Sequence, residues 1–169
     1  MEDVVVVLPG IEEQDTEEGL KAYWFDWASK PMMDDGKIKW YCPGKAKFFR
    51  KLVKKLEKED IGLDFKRTRK EHKAEIYYEM KRGIIDDNYF MRGVAKWRGD
   101  DPVWRLTVRK DITNKKSTVV HELGHALGLG HPEDHSAETD TIMSYNRDFS
   151  LRYFTPKDID CLTGMYITG

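Results

Sequence analysis

The stretch that most limits what this chain can fold into is HELGHALGLGH, from His121 to His131. His121 and His125 are four residues apart, so on a helix their imidazoles project from one face about a turn apart. Gly128 can adopt the left-handed conformation that ends a helix, turning the chain so that His131 returns from a loop to the same point. Three neutral imidazoles converging on one point suit zinc, which in catalytic sites takes three protein ligands and keeps a position for water. Glu122, beside the first histidine, is placed to take a proton from metal-activated water rather than to ligate the ion. A lone histidine is usually an ordinary surface or core residue, but five fixed positions at a generous ~5% each make a chance match on the order of one in ten thousand for a chain of this size. A structural zinc site is the competing reading, yet such sites prefer four protein ligands, usually cysteines.

The 169 residues suffice for one domain with a proper core. The expected division is an acidic, aromatic segment over 1–36, packed on or leading into the domain, and a catalytic domain over 37–169. Basic and acidic residues nearly balance, at 29 against 30, so nothing pulls the chain globally toward nucleic acid or acidic membranes. Charge is locally uneven, however. Residues 1–36 carry ten acids and two lysines, and residues 45–73 carry twelve basic residues and five acids, so the two stretches can attract each other. Cys42 and Cys161 lie too far apart in sequence to suggest a disulfide framework and read as two unpaired thiols. The N-terminus MEDVVVVLPG lacks the positive charge and apolar length of a signal peptide, and no apolar run approaches a membrane span. The expectation is a soluble chain, cytoplasmic or exported by a signal-independent route.

Hydrophobic periodicity places the motif within a sheet and helices. Val4 to Leu8 reads as a short buried strand stopped by Pro9 and Gly10, and Lys37 to Tyr41 as another. Phe48, Phe49, Leu52, Val53 and Leu56 then recur at helical steps, with lysines outward. Leu63 to Arg69, Lys73 to Met80, Gly93 to Trp97 and Val103 to Val108 are expected strands. The strand, helix, strand order points to an α/β fold with a right-handed crossover and a mixed or parallel sheet. The helix bearing His121 is expected to start at Asn114 as N-cap. A closing helix is signalled by Thr155 as cap, Pro156 at the first position and Asp158 in a capping-box slot.

HELGHALGLGH resembles the H-E-x-x-H-x-x-G-x-x-H signature of the metzincin metalloproteases, and TIMSY, from Thr141 to Tyr145, resembles their Met-turn. Met143 alone would read as core packing. Within the metzincins the chain is most similar to the catalytic domains of serralysins and matrixins, over residues 37–167. Pro132 and the M-S-Y form of the turn look serralysin-like. GVAKW and VWRL resemble the family's antiparallel edge strand and the strand before the active-site helix, and FTPKDIDCLTGMY resembles its terminal helix.

The resemblance implies an α/β zincin fold, a mixed five-stranded twisted sheet with one antiparallel edge strand, and one catalytic zinc held by His121, His125 and His131, above Met143. It also implies Tyr145 as a fifth ligand or oxyanion donor; the alternative is a tyrosine packed in the turn. A peptide would lie along Gly93, Val94, Ala95, Lys96 and Trp97. No match to the matrixin loop that holds calcium and a structural zinc is found, nor any cysteine-switch propeptide. The implied activity is a zinc endopeptidase acting on peptides or proteins, a monomer without nucleic-acid or membrane partners. The alternatives are a zinc hydrolase of cell-wall peptides or other amides, and an inert metal-containing binding module.

Overall fold

The computed structural model of the chain describes residues 5–6, 37–85, 91–97, 103–132 and 136–167. Its elements run β1 (Val5–Val6), β2 (Lys37–Tyr41), α1 (Lys47–Glu57), β3 (Asp64–Arg67), a 3-10 turn (Glu71–Lys73), β4 (Ile76–Lys81), β5 (Gly93–Trp97), β6 (Trp104–Arg109), α2 (Lys115–Ala126) and α3 (Pro156–Tyr166). The strands lie in the order β1-β5-β6-β4-β2-β3. β2 pairs in parallel with β3 and β4, β4 pairs in parallel with β6, and β5 alone runs antiparallel to its neighbour β6. Strands β2 to β6 thus make the mixed five-stranded sheet with one antiparallel pair that the sequence leads one to expect.

The edge needs correcting. Val5–Val6, within the strand expected over Val4 to Leu8, pairs in parallel with Ala95 and Lys96, so Gly93–Trp97 is not outermost along its whole length. The physical reason is that β5 bonded only to β6 would present a row of unpaired amides and carbonyls, which a short β-branched run is suited to meet.

α1 buries Phe49, Leu52, Val53 and Leu56, as its periodicity requires. Phe49 packs between Trp40, at 4.9 Å between ring centroids, and Tyr78, at 4.5 Å. In β6, Trp104, Leu106 and Val108 are fully buried and alternate with half-exposed residues. α2 packs on β5 and β6, and every residue from Ser117 to Ala126 is buried. A helix buried all round has no solvent face, so its polar residues must find partners inside.

Several boundaries differ from those expected. β3 is shorter than the run from Leu63 to Arg69, and Lys73 ends a 3-10 turn before β4. Asn114 precedes α2, but with φ of 55° and no side-chain cap bond. Its carbonyl accepts from the Ser117 N–H at 3.1 Å, so a turn opens the helix, and asparagine tolerates the left-handed backbone there. At α3 the capping box is complete, with Thr155 and Asp158 bonding reciprocally and Pro156 at the start. Cys42 and Cys161 are both buried, and no disulfide joins them. The aromatic cluster Tyr23, Trp24, Phe25 and Trp27, and the turn from Arg98 to Pro102, lie outside the described residues. Among those described, no helix is long and apolar enough to cross a membrane.

Candidate metal centre

α2 ends where Gly128 was expected to end it. Gly128 has φ of 107°, its N–H donates to the His125 carbonyl at 3.0 Å, and the Leu129 N–H donates to the Gly124 carbonyl at 2.9 Å. This is the Schellman pattern, whose left-handed residue carries almost no penalty only when it lacks a Cβ. Tyr166 of α3 donates its hydroxyl to the Leu127 carbonyl at 2.8 Å, satisfying another acceptor at the helix end. The reversed chain brings His131 back over the helix.

The three histidines meet through one kind of atom. Their Nε2 atoms lie 3.2 Å apart between His121 and His125, 3.2 Å between His125 and His131, and 3.4 Å between His131 and His121. On the far side of the rings, Nδ1 of His121 lies 2.8 Å from the Ile142 carbonyl and Nδ1 of His125 lies 2.8 Å from the Leu129 carbonyl. A carbonyl only accepts, so these Nδ1 atoms carry the protons and the Nε2 lone pairs face inward. Lone pairs held this close repel one another until a cation sits among them. Zinc at about 2.0–2.1 Å from each nitrogen would set tetrahedral ligands about 3.3–3.4 Å apart, so the donor set fits the ion in both chemistry and spacing. His121 and His125 are fully buried, and His131 is partly so.

A buried turn orients the first of these rings. The Ser144 N–H donates to the Thr141 carbonyl at 3.3 Å, closing a turn over Thr141, Ile142 and Met143 whose Ile142 carbonyl receives His121. Asp158 holds that turn from α3. Its fully buried carboxylate accepts from the Thr141 hydroxyl at 2.5 Å, the Ile142 N–H at 2.9 Å and the Thr155 N–H at 2.9 Å. Burial pushes the Asp158 carboxyl above its ordinary value, and these hydrogen bonds oppose the shift.

Met143 is fully buried against the helix. A Cβ at Gly124 would lie only 2.6 Å from its sulphur, so the glycine between the two helical histidines is the seat of the methionine.

Arg147 is a participant that sequence reasoning missed. Although charged, it is 3% exposed, and it donates through Nε to Ser117 of α2 at 2.8 Å and through a terminal nitrogen to the Ser144 carbonyl at 2.9 Å. That terminal nitrogen is 3.4 Å from Nδ1 of His121, and the guanidinium lies 4.5 Å from the Phe149 ring centroid. No spacing rule marks this arginine; its position four residues after Met143 is the sole clue.

Glu122 is fully buried beneath the start of β5. A Cβ on Gly93 would meet Thr118 Cγ2 at 2.7 Å, Glu122 Oε1 at 3.1 Å and Glu122 Cγ at 3.2 Å. Only a glycine allows the strand to approach the helix this closely. The Tyr145 ring packs 4.6 Å from His131 and 6.2 Å from His121, centroid to centroid, so it borders the cluster. The structure therefore gathers His121, Glu122, His125, His131, Met143, Tyr145 and the first residue of β5, while Val94, Ala95, Lys96 and Trp97 continue the strand paired to β6. Among the described residues the three histidines form the group of side chains close enough to share an ion. Cys42 stands apart, its thiol near the Gly44 and Lys45 carbonyls and pushed up by burial.

Compared with known protein families, residues 39–167 match the model described as matrixin, peptidase M10. No curated protein matches the chain.

Proposed function

The chain belongs to the matrixin family, a family of zinc metalloproteases whose substrates are peptides or proteins, and from that premise we propose that it is an endopeptidase with one catalytic zinc. His121, His125 and His131 would hold the ion through Nε2, fixed by the carbonyls behind two of the rings. Bound zinc supplies Lewis acidity, polarising a peptide carbonyl and acidifying water.

The remaining chemistry falls to the chain's own groups. Glu122 takes a proton from water as the water oxygen bonds to the scissile carbonyl carbon, and returns it to the amine nitrogen as the C–N bond breaks. Its burial under Gly93 keeps that carboxylate dry and close to any backbone aligned on β5. The Tyr145 phenol, against His131 and His121, donates to the carbonyl oxygen as negative charge builds there. Gly93 to Trp97 pair with the substrate backbone, adding it as a strand and setting the carbonyl over the histidines.

The convergence of three Nε2 atoms within 3.4 Å of one another, beside a buried glutamate, carries this reading. The test compares wild type with Glu122→Gln on a proteome-derived peptide library, with zinc per chain measured on both. Cleavage should fall by about 10²–10⁴-fold at unchanged zinc content. Retained cleavage would remove Glu122 as the base; a library left intact by wild type would favour the amidase or binding-module alternatives.

A further inference from the structure

The outer side of β5 is where the proposed substrate must bind, and the chain's own β1 already lies there. Val5 pairs with Ala95 and Val6 with Lys96, on the side of β5 away from β6. Which backbone groups are involved follows from the register. The Arg109 N–H donates to the Arg92 carbonyl at 2.9 Å, and Gly93 is the partner of Val108. Residues 92 and 109 are therefore a hydrogen-bonded pair. By the alternation of antiparallel ladders, Val94 and Lys96 then direct their N–H and C=O groups at β6, while Gly93, Ala95 and Trp97 turn theirs outward. β1 thus meets the outward groups of Ala95, two residues along the strand from the glycine that rests on Glu122.

We infer that Val5–Val6 and an extended substrate compete for the outer edge of β5, making the chain's N-terminal strand a reversible internal inhibitor. The inference rests on the peptidase reading above. One edge offers each N–H and each C=O to one strand at a time, so two strands cannot share Ala95. The pairing is also suited to being displaced. It spans two residues, and it is parallel, the pattern that is slightly less stable per residue than the antiparallel one. An incoming strand that pairs antiparallel over all of Gly93 to Trp97 therefore makes more bonds, each better formed, than the strand it evicts. The competition is for the backbone groups of β5 and not for the three histidines, so it acts on substrate binding and not on the chemical step.

The experiment uses the full chain loaded with zinc and a double variant, Val5→Pro with Val6→Pro, which removes the one β1 amide that the alternation turns toward Ala95, that of Val6, and alters the residue beside it. Val5→Ile with Val6→Ile serves as the strand-preserving control. Amide exchange at residues 93–97 reads the pairing directly. Exchange of the outward amides should quicken in the proline variant and stay as in wild type in the isoleucine control.

Fluorescein-labelled casein, an unfolded chain offering many extended segments, serves as the probe. Its KM should fall about tenfold, equivalent to about 1.4 kcal/mol, with kcat unchanged. Its dissociation constant should fall equally when both chains also carry Glu122→Gln. Unchanged exchange, or quickened exchange with unchanged casein binding, would overturn the inference; so would weaker binding, which would make β1 a support for the edge. If casein binds more tightly to the proline variant yet neither chain cleaves it, the competition stands and the peptidase reading falls.

Discussion

The histidine cluster and the edge proposed for substrate share α2 as a neighbour but are held in place very differently. Around the histidines, each orienting group is itself oriented: His121 by Ile142, Ile142 by Asp158, and Asp158 within the capping box of α3. Along β5, the antiparallel pairing with β6 is complete on one side, and the other side meets a two-residue strand. The difference teaches where this architecture tolerates change. Ligands must be fixed to within tenths of an ångström before the ion arrives, whereas an edge that admits successive peptides must release what occupies it.

The comparison breaks most visibly at Asp158. Asp158→Ala leaves the Thr141 hydroxyl and the Ile142 N–H buried without their acceptor, and we expect a loss of about 2–4 kcal/mol, read as a lower urea midpoint at unchanged m-value. Zinc affinity, measured by chelator competition, should fall with it. The paired proline change at Val5 and Val6 should move the same midpoint by less than about 1 kcal/mol, since it touches few bonds of modest net worth. If the edge variant proved the more destabilising, the contrast between the two regions would be wrong.

A step smaller is Gly124→Ala. The new Cβ would stand 2.6 Å from the Met143 sulphur, with Phe154 at 3.5 Å behind, and overpacking of this kind costs about 1–3 kcal/mol. Methionine is flexible enough to yield, so the sharper readout is the geometry of the three histidines, followed by the absorption spectrum of the cobalt-substituted protein. A spectrum and midpoint identical to wild type would deny Met143 any part in seating the helix.

The smallest expected effect is a pH slope. Burial raises the Asp158 carboxyl in the folded chain above the roughly 3.9 of an unfolded aspartate. The folded state therefore binds its proton more tightly. The stability contributed by Asp158 is full below about pH 3.9 and is lost as pH rises through the raised value. Against Asp158→Asn, which does not titrate, wild type should lose stability with rising pH across that window, by at most about 1.4 kcal/mol per unit. A flat difference, or one of opposite sign, would show that the four hydrogen bonds to the carboxylate outweigh the burial.

Local spacing made much of this legible in advance. A four-residue step put His121 and His125 on one face, a glycine three residues on ended the helix with φ of 107°, and Thr155-Pro156 with Asp158 opened α3 with a complete capping box. Each depends on residues within one or two turns of one another, where periodicity and capping chemistry operate. What escaped depends on contacts made across the fold. Asp158 reads locally as a cap, and nothing in its spacing announces that the same carboxylate reaches Thr141 and Ile142, seventeen and sixteen residues earlier. Arg147 looks like a loop charge until its burial beside Ser117 is seen. Asn114 illustrates the converse, since a good cap residue in the right place made no cap because the backbone there is left-handed.

The double duty of Asp158 also bears on what a shortened chain would retain. The turn behind His121 is pinned by a carboxylate that lies well past the last histidine in sequence, so a fragment ending before α3 would carry all three imidazoles without the group that holds their turn. Proteolysis within α3 would likewise disable the site while leaving each of its histidines in the chain.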